Sequence, residues 1–415
     1  MKKSFYNIQS NIENNKILLF NTYSQALVEL DNDGILAYES LNPENEFANE
    51  FEKLGYWIHD DNDEYTKLMF KNQEAVFNTD EIRIVFKMTN ACNFRCPYCY
   101  QKHEENYLDN TILKVLKNFL NKQKKIDKHY IISYFGGEPT MCIPQIIKIQ
   151  KFLNKEEFNY NSSITTNGYL LTPQNVEMLI NNGVNSAYIT IDGDEMTHNK
   201  TRILPDGSGS YKQIIKNIQE ILENTNMNIS IRCNLSKSNE DSVKDFLDHL
   251  NKHNILGSRD QIVFNELIDH HGNDNLNTFD TRKEYAQSLL KSYKLLMDAG
   301  YNINRCGHLT MSCALDRQSA YVFTPNLEIE SCTSDEKAIG RLDDEGNLIY
   351  HNNYYLKMLR RSLDKPKCKH CKVMPMCMGG CTLLESKHKE SCIPEKYIIN
   401  ELIPLYYESV QRKDK

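Results

Sequence analysis

EIRIVFKMTNACNFRCPYCYQ, residues 81–101, is the stretch from which the fold is read. Its first nine residues, 81 to 89, are β-branched and aromatic-rich and predict a strand. The remaining twelve, NACNFRCPYCYQ, set Cys92, Cys96 and Cys99 in a C-x3-C-x2-C spacing with no fourth thiol beside them. Five more segments of strand character come after it: YIISYFG (130–136), SSITTNG (162–168), SAYITIDG (186–193), NISIRCNL (228–235) and QIVFNELI (261–268). Helical periods separate them. In SYKQIIKNIQEILEN, Ile214, Ile215, Ile218, Ile221 and Leu222 share one face, and Ser210 is the expected N-cap. The alternation predicts an α/β chain built on a parallel, partial (β/α)6 TIM-type barrel, with its chemistry at the C-terminal ends of the strands. The three-cysteine loop therefore lies on the active face. So do GGEP (136–139), TTNG (165–168), TIDG (190–193) and CNL (233–235), which on one rim point to a bound ligand, though each alone reads as a turn.

Composition narrows the function. A chain of 415 residues, 40% hydrophobic, can bury a large core and should form two or three domains. Its net charge of -7 and its lack of a sustained basic stretch argue against nucleic acid as a partner. No apolar run approaches the roughly 20 residues needed to span a bilayer, and MKKSFYNIQS has no apolar segment behind its basic start. No membrane association and a cytoplasmic location are expected. Thirteen cysteines in such a chain should stay reduced, so their spacing reads as metal ligation.

A four-iron, four-sulfur cluster has four corners for thiolates, and three cysteines leave one open. Together with Tyr98 before the last cysteine, the motif resembles that of the radical S-adenosylmethionine superfamily. A zinc site is the competing reading, but it needs a fourth ligand, and His103 lies too close for the usual ribbon. The resemblance implies that the open iron is chelated by S-adenosylmethionine, which is cleaved to a 5'-deoxyadenosyl radical. It also implies roles by position. Gly136, Gly137 and Glu138 would hold the methionine amino group and Tyr98 the adenine through its backbone. Thr190 would meet the ribose, Arg202 the carboxylate, and Leu235 would give an apolar contact near the adenine. For Thr190 and Leu235 strand-end packing is the competing role, and for Asp192 and Asn167 turn formation is an equal alternative to a site role.

CKHCKVMPMCMGGC supplies Cys368, Cys371, Cys377 and Cys381, with Cys392 beyond and Cys306, Cys313 and Cys332 upstream. The pattern is similar to SPASM, a twin auxiliary-cluster domain, although the glycine usual in the turn before Cys332 is replaced in TPNLEIESC. The resemblance assigns Cys306, Cys313, Cys332 and Cys381 to one auxiliary cluster and Cys368, Cys371, Cys377 and Cys392 to the other. With the barrel cluster this makes three 4Fe-4S clusters, leaving Cys142 and Cys233 as buried or incidental thiols. Two zinc ribbons are the alternative, and iron content separates the two.

The expected domains are an α+β N-terminal module (1–80), the barrel (81–300) and a cysteine-rich iron–sulfur domain (301–415). In the module, NKILLFNTYSQALVEL reads as a strand pair around a turn and NEFANEFEKLGYWI as a helix ending at the start of a strand. It resembles an abbreviated winged-helix leader-binding element; a cap over the barrel bottom is the other reading. The leading function is a maturase that crosslinks a short ribosomal precursor peptide with a leader, supplied with electrons by a flavodoxin or ferredoxin. The alternatives are an anaerobic sulfatase-maturing enzyme and a non-catalytic iron–sulfur electron carrier. The sulfatase-maturing family has an acidic residue directly after the third cysteine of its first auxiliary cluster, whereas here Thr333 follows Cys332 and the nearest carboxylate is Asp335.

Overall fold

In the computed structural model the chain opens with β1 (Lys2–Lys3) and the antiparallel sheet of β2 (Asn7–Asn11), β3 (Ile17–Asn21) and β4 (Leu27–Leu30). The turn between β3 and β4 forms because the Asn21 side chain accepts the N–H groups of Tyr23 and Ser24 at 2.9 and 2.8 Å, and Gln25 takes a φ of 64°. Next come α1 (Asn32–Ser40), α2 (Ala48–Lys53), β5 (Trp57–Ile58), which pairs with β1, and α3 (Glu64–Phe77). The structure describes residues 1–125, 127–255, 261–270, 276–303, 305–307, 313, 316–351, 355, 363, 365–386 and 389–413.

Two compact units divide the chain. The first comprises residues 1–76, 280–313 and 360–415. One of its cores joins Ile8, Leu18 and Phe20 to Met297, Cys306, Met376 and Leu402. Polar bonds follow the same route: Lys372 Nζ donates to the Asn7 carbonyl at 2.7 Å, and Tyr407 Oη to Glu29 at 2.8 Å.

The second unit, residues 77–279 and 314–359, holds the barrel strands. Six parallel strands run side by side in chain order: β6 (Glu81–Lys87), β7 (His129–Phe135), β8 (Tyr160–Thr166), β9 (Val184–Thr190), β10 (Asn228–Leu235) and β11 (Gln261–Glu266). Between them run α4 (Asn110–Gln123), α5 (Ile143–Lys155), α6 (Pro173–Ile180), α7 (Glu195–Thr201), α8 (Tyr211–Asn224) and α9 (Val243–Lys252). This is the expected partial barrel. Strand alternation sets its two faces: on β10, Ile229, Ile231, Cys233 and Leu235 are buried, leaving Ser230, Arg232 and Asn234 on the other face.

Beyond β6 the sheet continues through β12 (Ala320–Phe323), parallel to β6, and the antiparallel strands β13 (Glu328–Cys332), β14 (Asp335–Leu342) and β15 (Leu348–Tyr350). The turn before β13 is made without glycine, by Leu327 at φ 63°. The expected α8 is present, with Ile214, Ile215, Ile218 and Ile221 buried, but Ser210 does not cap it through its side chain. Its hydroxyl instead donates to the Arg202 carbonyl at 2.7 Å. Among the described residues no helix is long and apolar enough to cross a membrane.

Candidate active site

The loop after β6 is held against the chain after β7 by backbone hydrogen bonds. Gly137 N–H donates to the Thr89 carbonyl at 2.8 Å and Glu138 N–H to the Ala91 carbonyl at 2.9 Å. That approach requires glycine. A Cβ on Gly136, whose φ is +131°, would lie 2.4 Å from the Thr89 carbonyl oxygen, and one on Gly137 would lie 2.1 Å from that of Ala91.

A cavity of about 310 Å³ opens here, within the size range of small-molecule sites. Cys92, Cys96, Tyr98, Cys99, Gly136, Gly137, Glu138, Thr190 and Arg202 all line it. Leu235, proposed as an adenine contact, is fully buried and does not; its neighbours Asn234 and Leu267 do.

Glu138 is 1% exposed, and its carboxylate is engaged internally. It accepts the Thr140 N–H and hydroxyl at 3.0 and 2.5 Å, the Thr166 hydroxyl at 2.6 Å and the Asn167 N–H at 2.7 Å. Burial raises its pKa, against the pull of these bonds. The side chain thus braces the ends of β7 and β8, leaving the glycine backbone to face a ligand.

Asp192, for which a turn-forming role was equally open, is a hub. One oxygen accepts the Asn234 N–H at 3.0 Å and its side-chain amide at 3.1 Å; the other accepts the Tyr98 hydroxyl. Arg202 donates to that hydroxyl at 2.6 Å and lies 3.9 Å from the carboxylate. Asn167 ties β8 to the cysteine loop through Asn93 at 2.7 Å. Both residues stand in the strand-end motifs TIDG and TTNG, so the signal for them was the position on the rim. Tyr100, Arg232, Glu266 and His270 also line the cavity and carried no motif of their own.

The donor set fits a cluster carrying S-adenosylmethionine. Burial, reinforced by Glu138, pushes the Cys92 thiol up to about 12, and burial pushes Cys96 up to about 11. Such thiols become thiolates when a cationic iron core supplies the opposing charge. The Phe94 N–H already points at Cys92 Sγ, at 3.4 Å. Arg202 Nε is buried without a partner, as a ligand carboxylate would require. Among the described residues no three His, Cys, Asp or Glu side chains are gathered to hold a single metal ion.

In the first unit, Cys368 and Cys371 form a knuckle in which the Cys371 N–H donates to the Cys368 carbonyl at 3.0 Å. Cys377 senses the charges of Cys392, Cys371 and Cys368, while burial, the larger effect, pushes it up to about 11. Met378, Gly379 and Gly380 all take positive φ, and Cys381 beyond them is exposed. Cys306 is buried in the core of the first unit, and Cys332 ends β13 in the second.

A half-barrel with a three-thiol loop at the C-terminal ends of its strands defines an iron–sulfur enzyme. Residues 86–250 match the family model of the radical SAM superfamily. These residues form a radical SAM domain, of a family that binds a 4Fe-4S cluster and S-adenosylmethionine. It is 25% identical over 431 residues to radical SAM cyclopropyl synthase TigE of Paramaledivibacter caminithermalis, covering 94% of this chain and 88% of that protein. It is 22% identical over 332 residues to the cysteine-type anaerobic sulfatase-maturating enzyme of Clostridium novyi, covering 71% of this chain and 85% of that protein. Among solved structures, native anSMEcpe with bound AdoMet shares its fold at a TM-score of 0.62 and 15% identity, over 80% of this chain and 98% of that one. Streptococcus suis SuiB bound to precursor peptide SuiA does so at 0.55 and 15%, over 95% and 98%.

Proposed function

We propose that the protein is a radical SAM maturase that installs a thioether or other side-chain crosslink in a ribosomally made precursor peptide. The observation that carries this reading is the cavity itself: beside the three thiols and Arg202, its wall includes Thr333 and Ser334, which directly follow Cys332. A peptide side chain in that space would lie between the cluster loop and a segment assigned to an auxiliary cluster. The relation to TigE and the fold shared with SuiB support a peptide substrate. When bound, the cluster and S-adenosylmethionine supply a 5'-deoxyadenosyl radical. In this reading Cys92, Cys96 and Cys99 hold the cluster, the Gly136–Gly137 backbone receives the methionine amino group, and Arg202 the carboxylate. Thr190 and the Tyr98 backbone flank the nucleoside.

Two auxiliary 4Fe-4S clusters complete the proposal, one on Cys306, Cys313, Cys332 and Cys381, the other on Cys368, Cys371, Cys377 and Cys392. A small acidic electron carrier such as a flavodoxin or ferredoxin is the reductant. The similarity to the Clostridium novyi enzyme favours formylglycine formation as a second reading. Against it, Asp335 is occupied: its carboxylate accepts the Ser331 hydroxyl at 2.8 Å, and Thr333 stands at the cavity wall instead.

The test is mass spectrometry of a short cysteine-containing peptide encoded beside the enzyme, after anaerobic incubation with S-adenosylmethionine and reductant. Loss of two hydrogens per linkage, with the cysteine no longer alkylatable, is expected. An aldehyde in place of the thiol would give the reaction to the second reading.

A further inference from the structure

The inner face of the half-barrel carries a cation that the reading above leaves unused. On β10 the side chains of Ile229, Ile231, Cys233 and Leu235 are buried, so Ser230, Arg232 and Asn234 stand on the opposite face, and the last two line the cavity. Arg232 is exposed, and none of the described residues hydrogen-bonds or ion-pairs with its guanidinium. Among the described lining residues the other arginine is Arg202, which is buried and donates to the Tyr98 hydroxyl.

Register fixes where Arg232 stands. It pairs with Thr190 on β9 and with Val263 on β11, so the three side chains leave the sheet on one side. Thr190 is the residue assigned to the ribose, and on that assignment Arg232 neighbours the reacting centre. Val263 and Tyr188, whose register partner is Ser230, are exposed apolar side chains on the same face. A guanidinium with apolar neighbours suits a peptide that carries a carboxylate: its planar fork binds both oxygens, and an apolar flank that excludes water strengthens the pair. The wall's own carboxylates do not supply that partner. Glu138 accepts from Thr140, Thr166 and Asn167, and Glu266 is in register with Leu235, about 10 Å along β10 from Arg232 at the rise of a strand. S-adenosylmethionine brings a single carboxylate, which Arg202 receives in the reading above.

We propose that Arg232 is a specificity residue, pairing with the carboxylate of an aspartate or glutamate of the precursor peptide at or next to the residue that is modified. The inference rests on the peptide-maturase reading above and narrows its substrate class to peptides with an acidic side chain at the modification site. Arg232 makes and breaks no covalent bond. It holds the peptide against the inner face, so that the neighbouring carbon is presented to the cavity.

The experiment measures peptide affinity anaerobically, with S-adenosylmethionine bound, for reconstituted wild type, Arg232→Gln and Arg232→Lys. The probes are the cysteine-containing peptide encoded beside the enzyme and versions of it with each Asp or Glu changed in turn to Asn or Gln. One of those changes should weaken binding to wild type by about 10- to 100-fold, the scale of a lost charge-assisted hydrogen bond, and the crosslink should form at or beside that residue. Arg232→Gln should lose as much on the unchanged peptide and no more on the changed one, because the pair is then already broken. Arg232→Lys should keep part of the affinity, since it retains the charge without the fork. Wild-type affinity in Arg232→Gln, additive losses when both partners are changed, or a crosslink remote from every acidic residue would overturn the assignment. So would a weakened affinity of Arg232→Gln for S-adenosylmethionine itself, which would give the guanidinium to the cofactor. A wild type that binds the peptide through this pair but leaves it uncrosslinked keeps the assignment and sinks the crosslinking reading.

Discussion

At Gly137 a single methyl group decides whether the cysteine loop can close. Its Cβ would meet the Ala91 carbonyl at 2.1 Å, and both partners are backbone, so no side chain can move aside. Gly137→Ala should cost about 1–3 kcal/mol, the usual scale of overpacking, and reduce 5'-deoxyadenosine formation sharply. An unfolding midpoint and cleavage rate equal to wild type would contradict this. Tyr98 separates two roles that share one residue. Its hydroxyl lies between Asp192 and Arg202, while the proposed adenine contact belongs to its backbone. Tyr98→Phe should therefore destabilise by about 1–3 kcal/mol, the cost of leaving buried partners unsatisfied, and leave the affinity for S-adenosylmethionine nearly unchanged. Calorimetric titration beside a denaturant melt distinguishes this from a direct role of the phenol in binding.

Between elements, α7 is tied to the rim by a neutral imidazole. The Asp192 N–H donates to His198 Nδ1 at 3.3 Å, so the proton sits on Nε2, which faces the Ser210 hydroxyl at 3.0 Å. Burial lowers the His198 pKa well below its ordinary 6.5, with the Arg202 charge adding to the effect. A folded pKa below the unfolded one means that this contribution is fully present above about pH 6.5 and is lost as pH falls toward the folded value. The melting temperature should drop between pH 7 and 5, and the drop should be smaller in His198→Gln. Parallel pH curves for the two proteins would remove His198 as the cause. The same contact explains why Ser210, a good cap by residue type, does not act as one.

At the scale of the whole molecule, the first 76 residues share a unit and a core with residues 280–313 and 360–415. Tyr6 and Leu68 pack with Met374 and Met378, and Cys368 and Cys371 lie against that cluster. A chain beginning at residue 77 should therefore lose the iron held by Cys368, Cys371, Cys377 and Cys392 while its barrel still cleaves S-adenosylmethionine. Iron analysis alongside 5'-deoxyadenosine yield measures both. Retention of the full iron complement would mean that the N-terminal segment is dispensable to that core.

The sequence by itself determined the parallel strands and the thiol loop, because strand character and cysteine spacing are local properties, written within a few residues of each other. GGEP, TIDG and TTNG were legible for the same reason. The tertiary structure alone decided what the side chains at those places do. Glu138 turns inward to four donors, Asp192 becomes a hub for Tyr98 and Asn234, and Leu235 faces the core rather than the cavity. It also decided that the N-terminal segment and the C-terminal cysteines share one core. Such contacts join residues far apart in the chain, and a hydrogen bond or a packed face exists only once the fold has brought its two halves together.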